Sequence, residues 1–375
     1  MSGRVAVVFP LPLEPIHVGK DVALIPEGLR RAGFEVETHV PSMRGEVEWP
    51  VPVVEGPIGD ASYWSGRSFD SAVVFSFLHN APLLEAVRAS GARVVAKGDT
   101  DGLVVARDHP RPTLQYAWFD SRRPGVRLRS LAYWLGRMGP LHRREVQALV
   151  AAVSAADATV VEVDPAREAV TKVLEKHGAA ALVSRLMTVA SPVGEMFTTP
   201  PVPAEREKLV VAVGRWDLAQ KDAPLLAAAL ERFLAVHPGW RAVVVGRCGE
   251  EMFRDRDRIA YFGRLPQEQM APLLGRARVF VSSSRWESFC LAAHESLAMG
   301  CSVAGPPLAA FADIASRGPY GTAAEGRSAA ALAAALQAEA AAWDRGERNP
   351  AATAGFWRHR VSVDGVAERM ADLLS

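Results

Sequence analysis

The sequence predicts an α/β chain of two domains, each built on a parallel sheet. Short β-branched runs such as VAVVF at Val5 to Phe9 alternate with helix-length segments along the whole chain, the order that builds βαβ units. At 375 residues the chain is too long for one core of ordinary size and suits two. A Pro-rich stretch, SPVGEMFTTPPVPAEREK, has the composition of an interdomain linker. The expected boundaries are therefore 1–190 for the first domain, 191–208 for the linker and 209–355 for the second.

Composition narrows the function. A hydrophobic content of 49% with 23% charged residues is that of a globular protein, and a net charge of +1 argues against a surface given over to a polyanion. Cys248, Cys290 and Cys301 are widely spaced and odd in number, which reads as reduced thiols rather than a disulfide framework or a zinc site. The start, MSGRVAVVFP, enters a strand without the apolar core of a signal peptide, and no run reaches the roughly 18 apolar residues that span a bilayer. These features predict a cytoplasmic protein.

In the first domain, Val5 to Phe9 is the opening strand. A Pro-rich loop follows, then Gly19, Lys20 and Asp21, with Asp21 as the expected cap of a helix to Arg31. Phe34 to Val40 is the second strand, and Pro41 to Gly59 reads as a surface connection. Ala72 to Phe77 is a strand that leads to His79 and Asn80. A helix from Ala81 to Ser90 and a strand from Ala92 to Ala96 complete the next unit. That strand runs into Lys97, Gly98, Asp99, Thr100, Asp101 and Gly102, where turn chemistry accounts for Asp and Gly without a metal. The segment 122–144 is rich in arginine and interleaved with Leu131, Tyr133, Trp134, Leu135 and Met138, a pattern that suits an anionic membrane surface or an acidic acceptor. No nucleic-acid-binding motif accompanies it. Ala155 to Val163 and Met187 to Ala190 are the last strands of this half.

The second domain opens with the strand Leu209 to Val213, then Gly214, Arg215, a short loop, Lys221, and a helix Asp222 to Val236 with Asp222 as its cap. Arg241 to Val245 and Ile259 to Phe262 are strands, the second followed by Gly263, Arg264 and Leu265. The stretch RVFVSSSRWESFCLAAHESLAMGCSVAG, from Arg278, reads as strand, loop, helix and strand. Its loop lies where a helix N-terminus meets the carboxyl end of a strand, a natural anion site. Glu287 and Glu295 frame that loop. If mostly helical, the interval between them spans about 12 Å, enough for one carboxylate to hold a sugar and the other a ribose on either side of a diphosphate. Ser328 to Trp343 is an alanine-rich helix, and Phe356 to Leu374 a final helix pair.

Glu287, Ser288, Phe289, Cys290, Leu291 and Glu295, followed by Ala298, Met299 and Gly300, resemble the Glu-x7-Glu signature of the family-4 retaining glycosyltransferases. VVAVGRWDLAQKDAPLL resembles a second element of that family. The resemblance implies the GT-B architecture, two Rossmann-like domains, with the C-terminal helix 356–375 crossing back to complete the first. It implies that Arg215 and Lys221 grip the donor diphosphate with Gly214 in their turn. Glu287 would then meet the donor sugar, Glu295 the ribose, and the Arg264-Leu265 loop the base. Gly19-Lys20 stands where family members often carry Gly-Gly, and the turn after Ala96 has no histidine, which leaves His79 as the substitute. Lys20, Lys97, Asp99 and Asp101 are the other acceptor-side candidates.

The reading is a retaining, metal-independent transferase that moves a sugar from a UDP- or GDP-sugar to a hydroxyl of a glycan, lipid or small molecule. It needs no cofactor beyond the donor, and membrane contact through 122–144 would place it at the inner face of a membrane. A nucleotide-sugar epimerase and a non-catalytic nucleotide-sugar-binding protein use the same scaffold. A dinucleotide oxidoreductase is disfavoured because no G-x-G-x-x-G follows the first strand.

Overall fold

The computed structural model describes residues 3–46, 48–76, 78–119, 123–247, 252–253, 255 and 257–375. Ser121, Arg122 and Cys248 lie outside them. The chain forms two units, each a parallel sheet covered by helices: Met1–Thr113, Tyr133–Gly194 and Arg360–Ser375 make the first, Leu114–Ala132 and Glu195–His359 the second.

The first sheet contains β1 (Arg4–Val8), β2 (Glu35–Val40), β3 (Val53–Glu55), β4 (Ser71–Phe75), β5 (Arg93–Lys97), β6 (Ala158–Val161) and β7 (Leu186–Thr188), in the order β3-β2-β1-β4-β5-β6-β7. Each neighbouring pair is parallel. Val5, Val7, Val73 and Val95 point to one face with Phe9 and Ile25, and Ala6, Val8, Val74 and Val94 to the other with Trp64 and Leu84. A strand apolar on both sides must have both faces covered, which is why the runs carry so few polar residues.

The second sheet contains β8 (Glu207–Val213), β9 (Arg241–Val245), β10 (Ile259–Phe262), β11 (Ala277–Val281), β12 (Ser302–Gly305) and β13 (Gly321–Ala323), in the order β10-β9-β8-β11-β12-β13, again all parallel. The helix Ala223–Val236 buries Leu226, Leu230, Phe233 and Leu234 against Val210, Val244, Val279 and Val281. Strands β8 and β11 are adjacent, so the turns that follow them open side by side at the carboxyl edge.

The elements depart from the sequence reading in several places. β3 lies within the stretch read as a surface connection, and β13 was not anticipated. Asp21 does not cap its helix: Lys20 holds the N-cap position of Asp21–Arg31, and Asp21 sits in the first turn with its carboxylate on Lys97. Within 122–144 the helix Pro124–Met138 ends before a second helix, His142–Ala155, begins. The linker stretch divides at Gly194, and residues 114–132, read as part of the first domain, group with the second unit. The terminal pair is Pro350–Val361 and Val363–Leu374, and the latter packs on Asp21–Arg31 in the first unit. Gly28 permits that contact, since a Cβ there would lie 2.8 Å from the Ala367 Cβ.

At the carboxyl edge of the second sheet, Gly246 has φ +125° and lies so close to Gly214 that an added Cβ would stand 1.7 Å from the Gly214 carbonyl oxygen. Backbone cannot yield as a flexible side chain does. Gly246→Ala is therefore expected to destabilise the protein by more than about 2 kcal/mol, combining left-handed strain with the clash, as read from urea unfolding.

Candidate functional site in the second unit

Two βα turns, Gly214 to Asp222 after β8 and Ser282 to Cys290 after β11, meet at the carboxyl edge of the second sheet. Lys221 Nζ donates to Glu287 Oε1, joining the two turns directly. Ser284 Oγ donates to the same carboxylate oxygen at 2.6 Å, and Ser283 Oγ to the Lys221 carbonyl at 2.6 Å. Gln220 Nε2 donates to the Trp286 carbonyl at 2.9 Å, and the Arg285 N–H to the Gln220 carbonyl at 2.7 Å. Burial works against the charge of Lys221, but the neighbouring Glu287 carboxylate outweighs it and raises the lysine pKa. The lysine is thereby held in its charged form.

Arg215 projects from the first turn, exposed, near enough to Lys221 for its charge to bear on that ammonium. Among the described residues its guanidinium has no hydrogen bond or ion pair. The turns thus offer one unpaired cation beside one whose partner is a single carboxylate.

Left-handed backbone marks both turns. Asp222 (φ 50°) and Cys290 (φ 66°) hold the N-cap positions of Ala223–Val236 and Leu291–Ala298. Such conformations cost about 1 to 3 kcal/mol each in residues other than glycine. Asp222 occupies the expected cap position without making the expected bond. Its carboxylate instead receives Arg285 Nη2 at 2.8 Å and Arg327 Nη2 at 3.1 Å. The Cys290 thiol is buried and its pKa pushed up to about 12, so it stays neutral; Cys301, raised to about 11, is also a free buried thiol.

The helix begins only at Leu291, so the interval from Glu287 to Glu295 is about half helical rather than mostly helical. Glu295 lies one turn into it. No hydrogen bond or ion pair reaches its carboxyl among the described residues, and burial alone raises its pKa from 4.5 to about 7. Phe289 is buried and stacks on His294 with ring centroids 3.6 Å apart, which fixes the segment between Ser288 and Leu291 from below. Arg264 is exposed, while Leu265 lines a separate groove with Val243, Phe262 and Leu273.

In the first unit, the acceptor-side candidates separate. Lys97 is 1% exposed and turns inward: its Nζ lies 2.7 Å from Asp21 Oδ2, 3.5 Å from Glu162 Oε1, and pairs with Asp99. Burial opposes the ammonium, yet Asp21, Asp99 and Glu162 together hold its pKa well above the ordinary lysine value. Those carboxylates are the one group among the described residues spaced to share a cation, and the cation there is the lysine. Lys97 is thus structural, contrary to its expected place on an acceptor, and Asp99 is committed to it. Asp101 accepts from the Leu103 N–H at 3.0 Å, a turn role. Gly19 is left-handed at φ +82° just before Lys20, and His79 is exposed beyond β4.

Residues 207–339, which contain all six strands of the second sheet, match the family model described as Glycosyl transferases group 1. Over 107 residues the chain is 31% identical to a phosphatidyl-myo-inositol mannosyltransferase of Propionibacterium freudenreichii subsp. shermanii, a match covering 28% of this chain and 27% of that protein. The match thus spans about a quarter of that relative's length. Along 99% of its length the chain is similar in structure to 98% of sucrose-phosphate synthase from Thermosynechococcus elongatus, with TM-score 0.65 and 15% identity. The fold is GT-B. The same GT-B architecture aligns 99% of this chain with 99% of HepE from Anabaena in complex with UDP and glucose, at TM-score 0.64 and 11% identity.

What the sequence reading missed at this site is Arg285, Arg327 and the turn function of Asp222. The string SSSRWES offered a signal for Arg285, a cation placed two residues before the key glutamate. Nothing local pointed to Arg327, which lies 105 residues from its carboxylate partner.

Glu295 supplies a pH test. Its folded pKa stands above the unfolded value, so folding takes up a proton between pH 4.5 and about 7. Its contribution to stability is full below pH 4.5 and is lost as pH rises through 7. Glu295→Gln, which carries no such proton, should gain on the native protein by about 1 to 3 kcal/mol between pH 4.5 and 8, measured by urea unfolding across that range.

Proposed function

We propose that this chain is a retaining glycosyltransferase that takes a sugar from a UDP- or GDP-sugar. The observation that carries the reading is the direct contact of Lys221 with Glu287, from two separate βα turns, with unpaired Arg215 alongside. A diphosphate would lie against Arg215, Lys221 and the N-terminus of the helix Leu291–Ala298, where unpaired N–H groups and the helix dipole favour an anion. Glu287 would turn to the sugar hydroxyls as phosphate takes its place on Lys221. Glu295, whose carboxyl lacks a protein partner, would accept from ribose hydroxyls.

Cleavage of the donor bond builds negative charge on the leaving phosphate and positive character on the anomeric carbon. The two cations would stabilise the first, and losing one such contact typically costs about 2.7 to 4 kcal/mol of barrier. In a retaining reaction the acceptor hydroxyl enters from the face the phosphate leaves, and that phosphate takes the proton, so no separate protein base is required. Two side-chain cations supply the charge a metal would otherwise bring, and no cofactor beyond the donor is proposed.

The acceptor is a hydroxyl of a glycan, lipid or small molecule, with Lys20 and His79 as its first-unit candidates. HepE, with bound UDP, favours a uridine donor, and the relative named for mannosyl transfer to phosphatidyl-myo-inositol favours a lipid acceptor. The helix Pro124–Met138 supports the same direction. None of its residues is buried, Leu128, Tyr133 and Leu135 are 70%, 62% and 57% exposed, and no acidic residue occurs from Arg123 to Arg144. Among the described residues no helix is long and apolar enough to cross a membrane. Contact would therefore be peripheral, at the inner face in a cytoplasmic protein.

Arg215→Ala should keep the melting temperature near that of the unaltered protein, Lys221→Ala should lower it by leaving the Glu287 carboxylate without its partner, and each should cut turnover, measured well below melting, about a hundredfold or more. Turnover is scored as UDP or GDP release that requires an added acceptor. Near-normal turnover in both variants removes the diphosphate assignment, and release without acceptor speaks for hydrolysis instead of transfer.

Sedimentation with vesicles tests the surface. Vesicles rich in phosphatidylglycerol should bind the protein, phosphatidylcholine vesicles should not, and Leu128→Glu with Leu135→Glu should abolish the binding. Equal binding to both vesicle types would sink the membrane proposal.

A further inference from the structure

A third turn reaches the same place from the far side of the sheet. β13 ends at Ala323, and the helix Ala329–Asp344 begins after Ser328, whose Oγ accepts from the Ala331 N–H at 3.1 Å. Arg327 precedes that capped residue, so its backbone is anchored by a regular helix start. Its side chain leaves that anchor for the other two turns. Nη2 donates to Asp222 Oδ2 at 3.1 Å and to the Ser283 carbonyl at 3.4 Å, and Nη1 donates to the Ser284 carbonyl at 2.5 Å. The Arg327 side chain is 18% exposed.

Asp222 is shared. Its other oxygen takes Arg285 Nη2 at 2.8 Å, and Arg285 Nε donates to the Ala219 carbonyl at 3.1 Å while its guanidinium lies 3.6 Å from the Phe119 ring centroid. Two planar forks thus close on one carboxylate from opposite turns. A planar guanidinium can serve several acceptors in fixed directions, which an ammonium cannot do. Arg327 bonds the residue next to Lys221 and the carbonyl of Ser284, the serine that holds Glu287. It therefore sets the separation of the two donor-facing groups.

We propose that Arg327 is a positioning residue that fixes the Ser282–Glu287 turn against the Lys221–Asp222 turn through Asp222, without touching the ligand itself. The site is then ordered before ligand arrives. This rests on the reading of Lys221 and Glu287 as donor contacts, and the experiment separates the two.

Arg327→Met keeps length and removes the fork; Arg327→Lys restores charge but not the fork; Asp222→Asn leaves a residue that tolerates left-handed backbone. The first measurement is amide hydrogen exchange of the ligand-free protein. In Arg327→Met the amides of 219–222 and 282–287 should exchange about tenfold faster or more while the helix Ala223–Val236 keeps its protection, and Arg327→Lys should recover only part of the loss. Unchanged exchange in the two turns, or acceleration throughout the second unit, overturns the proposal.

The second measurement is calorimetric titration with UDP and with GDP. Arg327→Met should weaken binding about tenfold or more, and Asp222→Asn should cost less when added to it than when made alone, because the two side chains share a bond while Asp222 also holds Arg285. Additive losses overturn the positioning role. If the unaltered protein binds neither nucleotide, the donor reading fails, while the exchange result still decides whether Arg327 holds the turn.

Discussion

An ammonium and a carboxylate in contact, both mostly withdrawn from water, hold the carboxyl edge of the second sheet together. Taking Lys221 and Glu287 out of solvent is costly, and their attraction offsets that cost only while the geometry is good and the remaining oxygens are satisfied. Ser284 adds a second hydrogen bond to the Glu287 oxygen that Lys221 contacts, and the tie from Ser283 to the Lys221 carbonyl prevents the turns from drifting apart. Such a pair adds little to net stability, yet breaking it from one side is expensive.

The backbone carries a matching cost. Among the described residues, the non-glycine residues with positive φ are Leu78, Asp222 and Cys290, and each lies in the turn that follows a strand, β4, β8 or β11. In the second unit both precede a helix and aim its N-terminus at the edge of the sheet. Asp222 can hold its conformation because two guanidiniums grip it, and Cys290 because its side chain is buried beneath the turn. Packing elsewhere compensates for strain concentrated where a ligand would sit.

Much of this was legible in the sequence because it is local. A strand, a turn and a helix within about twenty residues leave a pattern of apolar runs and glycines, so the sequence places β8, β9, β10 and β11 within a few residues, and the turns carrying Glu287 and Lys221 with them. Two edge strands are not legible: β3 and β13 have three residues each and lie among Pro and Gly, which mask the pattern. Lys97 was misread because a lysine at a strand end looks solvated. The carboxylates that neutralise it come from Asp21 and Glu162, 76 and 65 residues away, as well as from its neighbour Asp99. Asp222 was placed correctly as a helix boundary, but its guanidinium partners belong to tertiary structure and left no trace in spacing.

The path of the chain has a consequence for any attempt to take the molecule apart. It passes from the first unit to the second near residue 113, returns near 132, leaves again at Gly194 and comes back at Arg360. No single scission yields a fragment that contains the whole of either unit. A gene cut at the Pro-rich stretch would give one half lacking the helix Val363–Leu374 beneath its first helix, and another burdened with that helix and deprived of residues 114–132. Modular exchange of halves between such proteins would have to carry both excursions along.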